Sequence, residues 1–153
     1  MLLKDIYEKK HYIFTTEKLS WQEAIRKCCE PLVETGIATA DYAEEIIACI
    51  EKYGPYVVIL PDIALPHSTE NAKGALGTAI GFMHSKETVE FAPGNSEKDA
   101  HIFFTLSSTN PDEHMENMQR LYTVLTNEAA LEALKKIEKP EDLLAIDALV
   151  EQA

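Results

Sequence analysis

Long apolar runs are missing from this chain of 153 residues. A membrane helix needs roughly 20 consecutive apolar residues, and no stretch approaches that, so no direct membrane insertion is expected. Cysteine is scarce: Cys28 and Cys29 are neighbours and Cys49 stands apart. An odd set without CxxC spacing gives neither a disulfide framework nor a thiolate metal site, and it fits a reduced, cytoplasmic protein. The HxxxH and HExxH spacings are absent, so no metal is expected. There is no GxSxG elbow, which argues against a serine hydrolase, and no Walker A lysine loop. Cations are few. Fourteen Lys and Arg face 26 Asp and Glu, for a net charge of −12, and such a surface repels nucleic acid. The opening stretch MLLKDIYEKKH has no apolar core and no small-residue cleavage site, so no signal peptide is expected. No repeat, low-complexity tract or linker marks a boundary, and residues 1–153 read as one domain.

What is present is a packed-core composition, 46% hydrophobic, with helical and strand periodicities in separate blocks. YIFT (12–15) reads as a short first strand. Ser20 with Glu23 forms a capping box. Trp21, Ala24, Ile25, Cys28 and Leu32 follow on one helical face, and Pro31 predicts a kink or an early end. A second helix is expected from Thr39, with an apolar stripe running from Tyr42 to Tyr53 and a stop at Gly54-Pro55. YVVIL, DIAL and ALGTAIGFM read as short β-rich runs, with an edge strand near Val89–Phe91, and AHIFFTLSS is the strongest strand. Asn110-Pro111-Asp112-Glu113 is a helix start, and two shorter helices are expected after Asn127 and Pro140. Helices on both sides of a strand-rich centre give an α/β fold, a single-domain three-layer sandwich around a mixed sheet. Of the remaining histidines, His101 reads as structural, and His11 and His84 as solvated.

One stretch, PDIALPHSTENAKG (61–74), raises a chemical question. Pro66 ends the β-ladder and fixes the backbone. His67 is therefore held at the rim of the sheet, where α/β proteins place their chemistry. A nucleophile or general base fits there; so does a surface or capping residue. His114 comes 47 residues later, in the first turn of the helix capped by Asn110. That helix end favours an anion and disfavours an imidazolium. From position alone, His114 either serves a phosphoryl group or packs beside the Met118/Leu121 stripe.

Ile63-Ala64-Leu65-Pro66-His67 resembles the phosphorylation-site signature of the mannitol/fructose-type IIA proteins of the bacterial phosphoenolpyruvate-dependent sugar phosphotransferase system (PTS). SWQEAIRK, EKYGPYVVILP and TNPDEHMENM are most similar to the ascorbate-specific IIA subunits, and the resemblance runs from about Leu2 to about Leu149. It implies the mannitol/fructose-type IIA fold and a cytoplasmic phosphocarrier. It implies that His67 accepts a phosphoryl group from the phosphocarrier HPr. The group then passes to a cysteine of a IIB subunit, and through it serves a membrane IIC permease, for uptake of ascorbate or a related sugar. His114 would be the supporting second histidine. Ser68 and Thr69 would bind the phosphoryl oxygens with loop amides, and no cofactor is implied. The chemistry suits these residue types: a loose transition state asks for an aligned nitrogen and oxygen donors, and neutral imidazole supplies the nitrogen near pH 7.

Two departures from the family pattern stand out. No arginine lies between Arg26 and Arg120, leaving Lys73 as the nearest cation in sequence. Asp62 occupies a position that is often glycine; aspartate tolerates the αL conformation, and its carboxylate can either orient His67 or oppose a phosphate. A transient docking ring around His67 would include Leu65, Tyr56 and Met118. Alternative readings on the same fold are a regulatory IIA, a IIA for a mannitol-, fructose- or galactitol-type permease, and a binding module that is never phosphorylated.

Overall fold

A computed structural model describes residues 1–68 and 72–152. Its centre is one mixed five-stranded sheet in the order β1-β4-β5-β3-β2. The strands are β1 (Tyr12–Thr15), β2 (Val58–Leu60), β3 (Asp62–Ala64), β4 (Ala79–Glu90) and β5 (Asp99–Ser107). β1 runs parallel to β4 and β3 parallel to β5, while β4/β5 and β2/β3 are antiparallel. β5 explains the arrangement. Ile102, Phe104 and Leu106 enter one core and Ala100 and Phe103 the other, as expected of a strand covered on both faces.

Two helices, α2 (Trp21–Glu34) and α3 (Ala40–Tyr53), cover one face. The other is covered by α1 (Leu2–Glu8), α4 (Pro111–Leu125), α5 (Glu128–Lys135) and α6 (Asp142–Glu151). The result is the three-layer α/β sandwich that the alternation of elements predicts. Sequence caps operate as expected. Glu23 N–H donates to Ser20 Oγ at 3.2 Å, Ser20 N–H donates to Glu23 Oε1 at 2.9 Å, and Glu113 N–H donates to Asn110 Oδ1 at 3.0 Å. Among the described residues no helix is long and apolar enough to cross a membrane.

Several expectations need correction. Helix α1 is absent from the sequence reading; Leu2, Leu3 and Ile6 form its buried face, a stripe too short to show a clear period. Pro31 lies inside α2 without stopping it. It falls near the C-terminal end, where few bonds remain to be lost, and Thr35 N–H and Oγ1 both donate to the Pro31 carbonyl, at 3.2 and 2.9 Å. The YVVIL run yields only the short edge strand β2. The second half of ALGTAIGFM, from Ala79, and the supposed edge strand near Val89 belong to one long strand, β4, with a register shift between His84 and Val89. His84 therefore sits inside a strand, half-buried. His11 is buried, and burial lowers its pKa.

α1 is joined to α6 by a polar contact inside the core. Lys4 N–H donates to Asp147 Oδ2 at 2.9 Å, supplying an acceptor for a helix N-terminal amide. Asp147 is buried, and its Oδ1 has no partner among the described residues. Burial raises its pKa above the ordinary 3.8. A raised folded-state pKa gives stability that is present below the unfolded value and lost as pH rises through the folded one. Asp147→Asn keeps an acceptor and removes the charge. It should flatten the decline in stability above about pH 4 and leave the variant at least as stable as the parent at pH 7. Urea unfolding across that range measures this; a loss of more than ~1 kcal/mol at pH 7 contradicts it.

Candidate functional site

The chain leaves β3 as Leu65-Pro66-His67-Ser68 and is tied down at each step. Leu65 N–H donates to the Val57 carbonyl at 2.8 Å, and Leu106 N–H donates to the Pro66 carbonyl at 2.9 Å. The Tyr56 hydroxyl donates to the His67 carbonyl. The Tyr56 ring stands edge-on to the imidazole, with centroids 5.1 Å apart and planes at 81°. Burial, aided by neighbouring Cys49, holds the Tyr56 phenol well above its ordinary pKa, so it remains a donor. His67 Nδ1 lies 2.5 Å from the Leu65 carbonyl. A carbonyl oxygen can only accept, so Nδ1 carries the hydrogen. Nε2 is left with a free lone pair, which makes it the nucleophilic atom of the neutral ring.

His114 arrives from the other side. Thr109 and Asn110 N–H groups donate to Thr78 Oγ1 at 2.9 and 3.0 Å, which fixes the β5–α4 turn to the start of β4. His114 follows in the first turn of α4, its N–H donating to the Asn110 carbonyl at 3.0 Å. Its Nδ1 is buried and has no hydrogen-bond partner among the described residues. Such a group is costly unless a further molecule satisfies it. His67 and His114 line one cavity of about 240 Å³, together with Tyr42, Ser68, Ala72, Ala75, Leu106 and Ser108.

The fold thus brings the two histidines and Ser68 together. The Ser68 hydroxyl is also 3.6 Å from Cys49 Sγ. Thr69 lies outside the described residues. Two cavity residues, Tyr42 and Ser108, escape the sequence reading. Tyr42 looks like part of the α3 apolar stripe, yet its hydroxyl reaches across to donate to the Leu106 carbonyl at 2.5 Å. Only its phenol, ahead of the aliphatic positions up to Ile50, hints at this. Ser108 follows the strand and carries no sequence signal.

Asp62 takes the αL conformation, with φ 73°. Its carboxylate, however, bonds to His101 Nδ1 rather than His67, because β3 carries Asp62 and His67 to opposite ends of the sheet. His101 thus has the structural role its position suggests. Lys73 is exposed, and the loop is held by backbone instead: the Lys73 and Gly74 N–H groups donate to Glu45 at 2.9 and 2.6 Å. A Cβ on Gly74 would stand 2.5 Å from the Tyr42 nitrogen, so only glycine allows this approach. Among the described residues, the cavity contains no lysine or arginine. The expected apolar ring shifts as well. Leu65 is buried and Met118 packs into the core, whereas Leu76 and Met115, next in sequence to cavity residues Ala75 and His114, are 58% and 62% exposed.

The Leu65 contact has a spectroscopic consequence. Long-range proton–nitrogen spectra near pH 8, above the ordinary histidine pKa, should show His67 as the Nδ1–H tautomer with an unprotonated Nε2. An Nε2–H tautomer would contradict the geometry.

Comparison with known proteins gives a consistent result. Residues 6–147 match the family model for the phosphoenolpyruvate-dependent sugar phosphotransferase system, EIIA 2. The chain is 30% identical over 128 residues to the mannitol-specific phosphotransferase enzyme IIA component of Bacillus subtilis (strain 168), covering 83% of this chain and 85% of that protein. It is 25% identical over 146 residues to the ascorbate-specific PTS system EIIA component of Escherichia coli (strain K12), covering 94% of each. The solution structure of the mannitol-specific cryptic phosphotransferase enzyme IIA from E. coli superposes with a TM-score of 0.80 at 28% identity, covering all of both chains. The E. coli mannitol IIA, solved in complex with phosphorylated enzyme IIB, superposes with a TM-score of 0.74 at 23% identity, covering 94% of this chain and 96% of that one. With its sheet order, its histidine after the β3 proline and this family match, the chain belongs to the EIIA type 2 family of the sugar phosphotransferase system.

Proposed function

We propose that the chain carries a phosphoryl group on His67 Nε2, taking it from the phosphohistidine of HPr and passing it to a IIB cysteine. The observation that carries this reading is the Nδ1 contact with the Leu65 carbonyl, which leaves Nε2 as the free nucleophile beside a second histidine. In the accepting step, the Nε2 lone pair forms the new P–N bond as the donor's P–N bond breaks. The bonding pair returns to the donor imidazole, and the proton stays on Nδ1, which keeps donating to the Leu65 carbonyl. The loose transition state spreads charge over the equatorial oxygens. Hydroxyls of Ser68 and Ser108, and the unpartnered His114 ring, surround the cavity in which that charge would develop. Thr69, next in sequence to Ser68, completes the proposed donor set. Leu76 and Met115 supply exposed apolar surface at the rim for transient docking, as befits small short-lived contacts.

The IIB partner is supported by the E. coli mannitol IIA, which forms such a complex. We assign the chain to the uptake of ascorbate or a related sugar through a IIC permease, and place it in the cytoplasm as one domain spanning residues 1–153. Ascorbate-specific relatives support that sugar, and mannitol-specific relatives support a mannitol-type permease equally well. The absence of lysine and arginine among the described cavity residues favours one rival, a binding module that is never phosphorylated.

A single experiment separates these. Phosphoenolpyruvate, enzyme I and HPr should label the chain with an acid-labile, alkali-stable phosphate that is lost in His67→Ala. His114→Ala should label more slowly, by roughly 100- to 1000-fold, the cost of one lost transition-state donor. Chase with IIB proteins of ascorbate and of mannitol systems then reads out the permease class. An unlabelled parent chain establishes the binding module instead.

A further inference from the structure

A second cavity, about 630 Å³, lies away from the two histidines. It opens where β1 ends, beside the middle of β4 and the first residues of β3 and β5, and the turn from α5 to α6 covers it. His67 follows the last residues of β3 and His114 the last residues of β5, so the two cavities occupy opposite ends of the sheet.

Lys86, Lys135 and Lys136 line this second cavity, and all three are exposed. Each lacks a side-chain hydrogen bond or ion pair among the described residues. Some cations elsewhere are engaged: Arg26 with Glu44, Lys27 with Glu17, Arg120 with Asp5, and Lys18 and Lys98 with backbone carbonyls. Other lysines are also unpaired among the described residues, and what sets Lys86, Lys135 and Lys136 apart is that they line one cavity. Two acids also border the cavity. Asp62 is held by His101, whose other ring nitrogen lies 3.1 Å from Thr88 Oγ1. Glu138 is exposed. With neutral histidines the cavity still carries a formal charge of +1 on a chain of −12. His84 is half-buried here, its ring 5.8 Å from that of Phe14, and neither of its nitrogens has a hydrogen bond among the described residues.

We propose that this cavity binds a small molecule carrying a phosphate group. Three unpaired ammonium groups match a dianion better than a single carboxylate, and lysine binds phosphate as a point charge. The unpartnered His84 ring adds a donor. The volume exceeds the need of a bare ion and falls in the range of organic ligand pockets, and Phe14 and Ile137 give the organic part an apolar wall. The C-terminus of α5 accounts for two lysines through its dipole, but not for Lys86 on β4 or for the unbonded His84.

Amide shift mapping of the whole chain with glucose 6-phosphate, glucose and inorganic phosphate tests this without recourse to His67. Glucose 6-phosphate should shift Phe14, His84, Lys136 and Ile137 and should bind His67→Ala unchanged. The double variant Lys135→Ala/Lys136→Ala, both exposed positions, should bind at least about tenfold more weakly and still accept phosphate from HPr at the parent rate. Inorganic phosphate binding equally well at the same residues would uphold the phosphate site and make the free ion its ligand. An equal response to glucose, shifts confined to the His67–His114 cavity, or no response at about 10 mM ligand would overturn the proposal.

Discussion

The Leu65 carbonyl sets the chemistry of the His67 cavity. By accepting a hydrogen bond from Nδ1–H it decides which nitrogen of His67 is free, a task that a neighbouring hydrogen bond performs wherever histidine must present one defined atom. The bond spans only two residues, and Pro66 between them makes its geometry repeatable. The rest of the sheet then serves that turn. β5 anchors it through Leu106, and Tyr56 holds the His67 carbonyl. A local contact of this kind needs a rigid platform, and a strand buried on both faces supplies one.

Much of this was legible from residues alone. The caps at Ser20 and Asn110, the apolar stripe of α3 and the strand around Phe103 all follow from local rules, and the proline–histidine pair marked the site. What escaped was set by packing across the chain. Tyr42 donates to a carbonyl 64 residues away, and no periodicity announces such a bond. Helix α1 is too short for its period to show. β4 disguised itself as two strands, because the polar stretch Lys86–Thr88 reads as a loop when the pairing of Val89 and Glu90 with β5 is not in view. His11 looked solvated for the same reason: its burial comes from neighbours distant in sequence.

Asp62 serves the fold twice at one end of a strand. Its αL backbone starts β3, and its carboxylate is spent on His101. Sequence proximity to His67 suggested an electrostatic partner. A strand of only three residues is enough to turn the two side chains toward separate environments.

The neutral character of the His67 cavity has a consequence for competition. A pocket whose described residues include no ammonium or guanidinium group offers little to a free dianion, since a hydroxyl or a neutral imidazole binds such an ion more weakly than a fixed charge does. Inorganic phosphate, abundant in any growing cell, would therefore be a poor occupant. In the carrier role proposed for His67, the pocket would stay open for a group delivered on a protein and covalently handed over, with no trapped ion to dissociate between one turnover and the next.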